Sequence, residues 1–339
     1  LFRSICSVNH SFRMAKKKYL KRLGDDELRL ALASSGAVLI EGAKWCGKTS
    51  TAQQAAGSVI FLQDPDQSAS YLALADTKPS LLLSGPTPKL IDEWQMAPVL
   101  WDAVRFEVDK RNELGQFILT GSAVPSDNVT GHTGTGRISR IKMRPMSLLE
   151  SKESNGSISL GALFSGQAHV SEAMSELSIE QIAFAICRGG WPASLQLAGN
   201  ASLRMASSYV ESVINHDVSE VDSVEKNPDR VRLLMRSLAR NIATTANYTT
   251  IIQDLEATDR SISDKTVSVY MNALKRIFVL EDLPAWQPSL RSKTAIRTSE
   301  KRHFVDPSIA TAVMRVNPKG ILKDFEYFGF LFESLCTRD

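Results

Sequence analysis

The chain has 339 residues, which is too long for one small hydrophobic core, so its length predicts two domains. Hydrophobic residues make up 43% of the sequence and charged residues 23%, as in ordinary globular proteins. No apolar run approaches the ~20 residues that cross a bilayer, and a net charge of +3 excludes a strong overall field for nucleic acid.

The cysteines indicate the redox compartment of the protein, and the two ends indicate the extent of the chain. The four cysteines are scattered, without the paired spacing of common zinc sites or a disulfide framework, so a reducing cytoplasm is expected. Residues 1–24 are expected to form a basic N-terminal extension, because Met14 opens the run "MAKKKYLKR". The final run "FGFLFESLCTRD" carries no helix-stop signal, so the chain is expected to be shorter than the natural product.

Strand and helix patterns alternate between residues 25 and 122. Such alternation is typical of an α/β fold with a parallel sheet and flanking helices. In chain order, the predicted elements are helix 25–34, strand 37–41, helix 48–56, strand 58–64, a strand within 88–95, helix 97–111 and strand 116–122.

The remainder of the chain is predicted to be mostly helical. The Gly/Thr-rich stretch "GHTGTGRISR" predicts a flexible loop, and residues 150–159 form a polar connector. Helical patterns dominate from about residue 178. The domain boundary is therefore expected between residues 150 and 225. The predicted divisions are a first domain at 25–175, a helical connector at 176–225 and a last domain at 226–339.

A glycine-bounded loop follows the first predicted strand. Residues 42–49, "GAKWCGKT", match the pattern G-x-x-x-x-G-K-[ST] of phosphate loops, with a strand before and a helix after. Gly42 and Gly47 let successive backbone N–H groups converge on phosphate oxygens, and the following helix adds its positive end. Lys48 is expected to reach the β and γ phosphates of ATP, and the Thr49 hydroxyl is expected to bind Mg²⁺.

Two carboxylates follow the third predicted strand. In "KLIDEWQ", Asp92 and Glu93 come directly after the apolar residues of that strand, one strand–helix step beyond the phosphate loop. Asp92 is expected to hold a Mg²⁺-bound water, and Glu93 is expected to act as general base for the attacking water. An acidic surface turn is the alternative interpretation.

A hydroxyl and an arginine complete the predicted site. The strand "FILT" ends in Thr120-Gly121-Ser122, which would bring the Ser122 hydroxyl beside the γ-phosphate, unless the Ser/Thr pair only caps a turn. Glycines around Arg137 would let a mobile loop present it to the γ-phosphate, where an arginine stabilises transition-state charge. Arg140 is the alternative, and both could be solvated surface charges. Arg137 could act in its own chain or in a neighbouring subunit, so a homo-oligomer stays open.

Six segments together resemble a family of AAA-superfamily ATPases in bacteria and archaea. The resemblance implies ATP binding and Mg²⁺-dependent hydrolysis by an AAA-like domain, with Ser122 at the position of the first sensor. It also implies a winged-helix-like segment and a further part similar to a restriction-endonuclease fold, which is expected to be largely missing here. The segments are "LIEGAKWCGKTSTA", "LIDEWQ", "FILTGSA", "HTGTGRISRIKMRPMSLLES", "CRGGWPASL" and "RHFVDPSIA".

The last domain has the element order of a winged helix-turn-helix. A helix around residues 264–278 precedes the strand "FVLEDL", a basic turn and a second strand in "RSKTAIRTSEKRHFVD". The helix is predicted to bury one face, formed by Val267, Tyr270, Met271, Leu274, Ile277 and Phe278. A basic patch could meet a DNA backbone, although docking of a protein is the alternative. Its members are Arg291, Lys293, Arg297, Lys301 and Arg302.

Three functions follow from these patterns. The first is an ATPase that acts as a nucleotide-driven switch on a winged-helix module. The second is a low-turnover module that binds DNA or protein under nucleotide control. The third, a small-molecule kinase, is disfavoured because Glu93 directly after Asp92 suits water activation. No membrane partner is expected.

Overall fold

A parallel five-stranded sheet forms the N-terminal half of the computed structural model, which describes residues 19–123, 134–167, 174–222, 224–259, 261–286 and 298–339. Its spatial order is β2-β3-β4-β1-β5, and all its neighbours are parallel. The strands are β1 (Ala37–Glu41), β2 (Ser58–Phe61), β3 (Lys89–Asp92), β4 (Phe117–Gly121) and β5 (Ile138–Lys142).

Helices cover both faces of this sheet, which is why its central strands are continuously apolar. On one face, Leu39, Ile91 and Leu119 pack with Trp101 of α5. On the other face, β1 and β4 pack with Leu28 of α1. The helices are α1 (Gly24–Ser34), α2 (Lys48–Ala55), α3 (Ser68–Thr77), α4 (Pro79–Leu82) and α5 (Val99–Arg111), with a 3₁₀ turn at Trp94–Met96.

The strands and helices predicted up to residue 122 are confirmed within a few residues, but one prediction is wrong. The segment Ile138–Lys142 was expected to begin as a flexible loop and is instead strand β5, paired in parallel with β1. Ile138 and Ile141 are buried, whereas Arg140 and Lys142 are exposed, as at a sheet edge. Residues 131–133 of the predicted loop lie outside the described residues.

The second half is mostly helical. Its apolar side chains form one cluster, which includes Trp191, Tyr209, Leu234, Met271 and Ile309. The elements are α6 (Leu160–Phe164), α7 (Ile179–Arg188), α8 (Gly199–Ser212), a π-helical turn (Val213–Asp217), α9 (Val218–Glu220), α10 (Pro228–Arg240), α11 (Tyr248–Glu256), α12 (Asp264–Arg276), β6 (Leu280–Leu283), β7 (Lys301–Phe304), α13 (Pro307–Met314), α14 (Pro318–Ile321) and α15 (Phe325–Arg338), with a 3₁₀ turn at Ser194–Gln196.

Helix α12 and the strands that follow it confirm the predicted order of helix, strand and strand. The apolar face of the helix is buried at Val267, Met271 and Leu274, and Tyr270 is half-buried. Strands β6 and β7 pair antiparallel. Residues 287–297, which contain the predicted basic turn with Arg291, Lys293 and Arg297, lie outside the described residues.

Backbone contact joins the two halves beside residue 190. The Met146 amide donates to the Gly190 carbonyl at 2.7 Å. A Cβ atom at Gly190 would lie 2.0 Å from the Met146 carbonyl oxygen, so only glycine permits this approach. Next to it, the buried Trp191 ring lies 4.4 Å from Tyr209 and donates from Nε1 to Ser308 Oγ at 3.0 Å.

A buried carboxylate ties these contacts to the last helix. Asp306 is fully buried and accepts from the Ser308 amide, the Gly190 amide and Arg338 Nη1, each at 2.9 Å. The buried charge is therefore both paired and hydrogen-bonded. In the part of the chain that the structure describes, no helix has the length and apolar character needed to span a membrane.

Candidate functional site

The glycine-bounded loop joins the end of β1 to the start of α2. A Cβ atom at Gly42 would lie 2.1 Å from the Met143 carbonyl oxygen, so glycine is required for this close approach. Gly47 precedes α2 with φ of 104°, a left-handed conformation that favours glycine. The first N–H groups of α2 therefore open onto the loop, as an anion site at a helix N-terminus requires.

Lys48 is folded back beneath the loop. Its side chain is buried, and Nζ donates to the carbonyl oxygens of Gly42 and Ala43, both at 2.9 Å. These carbonyls satisfy the buried ammonium group within the loop itself. The charge of Lys48 therefore lies at the loop, and its contact with phosphates stays a prediction.

Three side chains meet through hydrogen bonds at the carboxyl edge of the sheet. Asp92 Oδ1 accepts from Thr49 Oγ1 at 2.7 Å and from Thr120 Oγ1 at 2.6 Å. Strand β4 lies between β1 and β3, so Thr120 at its end is level with Asp92 at the end of β3. Sequence reasoning named the Thr49 and Asp92 positions but assigned no role to the Thr120 hydroxyl.

Glu93 is held by two neighbouring side chains. Its backbone is left-handed, with φ of 55° and ψ of 50°, and its amide donates to Thr120 Oγ1 at 3.2 Å. The carboxylate oxygen Oε2 accepts from Ser122 Oγ at 2.9 Å and also from Gln95 Nε2. Glu93 and Ser122 are therefore in direct contact, and Gln95 is a partner that the sequence analysis did not identify.

Arg137 and Arg140 do not join this group of side chains. The Arg137 carbonyl accepts from the amide of Ala37, the first residue of β1, and its side chain pairs with Asp109 at 2.8 Å. Five strand residues separate that point from the loop, which is roughly 16 Å. Arg140 pairs with Glu41 at 3.1 Å and lies over the Trp101 ring. The expectation that Arg137 reaches the phosphates from a flexible loop of its own chain is contradicted, because β5 holds it at the opposite edge.

An N-terminal arginine supports the loop from below. Arg22 is buried and donates to the carbonyls of Cys46 and Arg144, both at 2.8 Å, and its Nε lies 3.0 Å from Glu150. The Cys46 side chain is also buried, in the apolar layer beneath the sheet. Glu150 is therefore an ion-pair partner within the first half.

The loop opens onto a cleft of about 820 Å³ that both halves of the chain line. The first half contributes the loop, Asp92 and Glu93, together with Tyr19 from the predicted extension. The second half contributes Pro192, Ala193, Gln196 and Met205. These second-half residues carry no phosphate-binding pattern, so the sequence offered no signal that they reach the cleft.

The outer side of the loop contacts the second half. Lys44 Nζ lies 2.7 Å from Asp217 Oδ1 and 3.4 Å from Glu220 Oε2, and the Trp45 ring meets the edge of Tyr209 at 5.7 Å. Burial lowers the pKa of Lys44, but the two carboxylates more than offset this effect, so the pKa lies above its usual value. Lys44 is therefore protonated, and its charge is matched across the interface.

The oxygen ligands and positive charges of this site suit a magnesium–nucleotide complex. Mg²⁺ prefers oxygen ligands and usually combines one or two protein groups with phosphates and water. Thr49 Oγ1 and Asp92 Oδ1 are such oxygens, and they lie within 2.7 Å of each other. The buried ammonium of Lys48 and the N–H groups of α2 match phosphate charge at the same point.

Two family models match consecutive parts of the chain. An AAA domain model matches residues 34–152, and a domain of unknown function (DUF8612) matches residues 179–320. The first match contains the loop, Asp92, Glu93 and Ser122, and the second contains the cleft residues from Pro192 to Met205. No curated protein matches the chain.

Three solved structures that match this chain have low sequence identity and TM-scores below 0.5. The Walker-type ATPase of Pyrococcus abyssi has 13% identity and a TM-score of 0.49, over 89% of this chain and 97% of its own. A signal transduction ATPase with numerous domains from Pyrococcus horikoshii has 16% identity and a TM-score of 0.32, over 93% and 45%. PCH-2 of C. elegans has 12% identity and a TM-score of 0.27, over 74% and 67%.

The sheet, the loop and the family matches agree on the fold. An α/β P-loop NTPase domain is followed by a helical domain, with the glycine-bounded loop at the carboxyl edge of the sheet. Residues 34–152 therefore form a P-loop domain that matches the AAA domain model, and the chain continues into a region that matches the domain of unknown function.

Proposed function

We propose that the protein is a Mg²⁺-dependent ATPase whose nucleotide state is transmitted to its second half. The observation that carries this proposal is the set of hydrogen bonds joining Thr49, Asp92 and Thr120 beside the pair of Glu93 and Ser122. A metal-binding hydroxyl, a metal-side carboxylate and a second carboxylate for water activation thus share one edge of the sheet with a phosphate loop.

Each side chain has a defined task in ATP hydrolysis. Lys48 exchanges its bonds with the loop carbonyls for the β and γ phosphates, and Thr49 and Asp92 would hold Mg²⁺. When bound, the ion supplies neutralising charge at the phosphates. Glu93 accepts a proton from the attacking water, and Ser122 keeps its carboxylate oriented toward the γ-phosphate.

A neighbouring copy of the chain is the source we propose for an arginine at the γ-phosphate. Arg137 is half-exposed at the far edge of the sheet, where its side chain forms an ion pair with Asp109. Arg140 is held by Glu41 and the Trp101 ring, so it is the poorer candidate. This assignment requires a homo-oligomer in which one protomer presents Arg137 to the cleft of the next.

The second half is the element that we propose to respond to the nucleotide. Lys44 and Trp45 lie within the loop that would surround the phosphates, and both contact helical residues of the second half. That half also contains the order α10, α11, α12, β6 and β7, which we interpret as a winged-helix module for a DNA or protein partner. A change in the loop would alter these contacts first.

Steady-state ATP hydrolysis by three proteins tests the proposal. Glu93→Gln should lower kcat by about 10²–10⁴-fold while ATP still binds, because the base is lost and the loop is intact. Lys48→Ala should lose both binding and turnover. Hydrolysis by the wild-type protein should stop when Mg²⁺ is chelated. If the wild-type rate does not exceed that of Lys48→Ala, the protein is not an ATPase.

A low-turnover nucleotide-regulated binding module is the second candidate. The observation that favours it is that Ser122 and Gln95 both donate to the same oxygen of Glu93. These hydrogen bonds make that oxygen less available to accept a proton from water. In this case ATP binds tightly, and Glu93→Gln changes the already slow turnover little. Measuring ATP affinity together with kcat separates the two candidates.

A further inference from the structure

Lys44 lies between two cavities. It belongs to the phosphate loop and lines the nucleotide cleft, and it also lines a chamber of about 330 Å³ between the two halves. Glu93 lines both spaces as well, and Ser122 lines the chamber. Lys44 therefore lies between the cleft and the chamber. Glu93, the proposed water-activating carboxylate, lines the same two spaces.

The second half holds this lysine at present. Asp217 Oδ1 lies 2.7 Å and Glu220 Oε2 lies 3.4 Å from Lys44 Nζ. The Asp217 side chain is only 6% exposed, whereas the Lys44 side chain is 40% exposed. Asp217 ends a π-helical turn between α8 and α9, a type of irregularity that is frequent at functional sites.

The other cations of the cleft are already committed. Among the described residues that line it, the cations are Arg22, Lys44 and Lys48. Arg22 is buried against backbone carbonyls and Glu150, and Lys48 is buried within the loop. Lys44 is the cation with solvent access and with partners on the other half of the chain, so it can exchange them when that half moves.

We propose that Lys44 is a catalytic residue that contacts the γ-phosphate during hydrolysis and that Asp217 and Glu220 hold it away until the second half moves. The inference rests on the proposed ATPase function and identifies how that site is regulated. It differs from an arginine supplied by another subunit, because the charge comes from the loop and its restraint comes from the same chain.

The chemistry is charge stabilisation without proton transfer by Lys44. The water oxygen bonds to the γ-phosphorus as the bond to the β–γ bridging oxygen breaks, and that electron pair stays on ADP. Glu93 accepts the proton that the water releases. Lys44 remains an ammonium throughout and stabilises the negative charge that develops on the phosphate oxygens.

Release of Lys44 depends on the position of the second half. Without Lys44, the buried Asp217 carboxylate would still accept a hydrogen bond from Ser212 Oγ, at 3.3 Å, but would have no cation at the position that Lys44 left. A buried unpaired carboxylate is unfavourable, so the lysine cannot leave unless Asp217 gains water or another partner. Movement of helix α8 and the π-helical turn away from the loop would expose Asp217 to water. The rate of hydrolysis would then depend on the position of the second half.

Single-turnover and steady-state ATP hydrolysis of four variants test the inference. Lys44→Met should lower kcat at least about tenfold, because a transition-state charge contact is removed. Lys44→Arg, which keeps the charge, should retain most of the wild-type rate. Asp217→Asn, which is nearly the same size as Asp, should raise kcat several-fold. The double variant Lys44→Met with Asp217→Asn should match Lys44→Met alone.

Lys142→Met is the matched control. Lys142 also pairs across the two halves, with Glu281 at 2.9 Å and a side-chain exposure of 38%, but it does not line the cleft. Its kcat should equal that of the wild type. Thermal unfolding and ATP affinity, measured for every variant, identify losses that come from misfolding or weaker binding.

The opposite results have distinct meanings. A Lys44→Met variant with unchanged or raised kcat would overturn the inference, because the pair would then act only as a brake. An Asp217→Asn variant as slow as Lys44→Met would also overturn it, because the pair would serve to hold the loop in shape. A wild-type protein without turnover instead removes the proposed function itself.

Discussion

The carboxyl edge of the sheet and strand β7 of the second half both carry polar residues. The two regions differ in what determines the partners of these residues. At the sheet edge, parallel strands end side by side, so Thr49, Asp92 and Thr120 converge on one point. In the second half, Lys301 pairs with Glu333, and Arg302 pairs with Asp282. The sheet topology brings the proposed catalytic groups together, whereas the availability of a basic cluster depends on acids that lie far away in sequence.

Removal of a buried carboxylate in the second half should have the largest effect on stability. Asp306→Ala removes the buried one of the two carboxylates that pair with the buried Arg338 guanidinium, leaving it only Asp339, and leaves the Gly190 amide without an acceptor. We expect a loss of about 3–5 kcal/mol in the free energy of unfolding, measured by urea denaturation.

A matched control for that variant is Glu333→Ala. Glu333 also pairs with a cation, but its side chain is 41% exposed, so we expect a loss of at most about 1 kcal/mol. Similar losses in the two variants would contradict the view that burial of the pair determines its contribution.

The second prediction concerns the sheet edge. Thr120→Val keeps the shape of the fully buried side chain but removes the hydroxyl that donates to Asp92 and accepts from the Glu93 amide. We expect a loss of about 1–3 kcal/mol in the free energy of unfolding, because Asp92 loses one hydrogen-bond donor and the Glu93 amide loses its acceptor. We also expect kcat to fall, since Asp92 and Glu93, the carboxylates that we propose for the metal and for water activation, both lose a hydrogen bond that orients them.

Thr120→Ser is the control, because it restores the hydroxyl and removes only a methyl group. It should recover most of the activity. If Thr120→Ser loses as much activity as Thr120→Val, the methyl contact and not the hydrogen bonds orients the site.

Local patterns predicted most of the sheet edge. The apolar runs of β1, β3 and β4 and the glycine loop each lie within a few residues, so their signals are complete in the sequence. Strand β5 was missed because "RISRIK" alternates with charged residues and follows glycines, as loops often do. That single strand decides the position of Arg137, which is why the predicted loop arginine is far from the phosphates.

Long-range contacts account for what the sequence could not reveal. Arg22 holds the loop through a carbonyl 24 residues away, and Lys44 meets Asp217 from 173 residues away. Neither pair has a local spacing rule, because the partners meet only after the two halves pack together. In the same way, the apolar face of α12 was predictable from its periodicity, but the acids that pair with Lys301 and Arg302 were not.

The smallest effect is expected at Lys301, where the charge is already paired. Lys301→Gln breaks an ion pair whose two side chains are 42% and 41% exposed, so the free energy of unfolding should change by less than about 1 kcal/mol. If the second half binds DNA, the affinity and its salt dependence should be almost unchanged, because Lys301 faces Glu333 instead of phosphate.

The informative contrast is the triple replacement of Arg291, Lys293 and Arg297 by Gln. If these residues contact the DNA backbone, their loss should weaken binding and reduce the slope of log affinity against log salt by about 0.9 for each contact removed. Titration of labelled duplex DNA at several salt concentrations measures both quantities. Equal slopes in the triple variant, Lys301→Gln and the wild type would exclude the basic turn from any DNA interface and favour a protein partner. The reason is that removal of a phosphate contact must lower the slope.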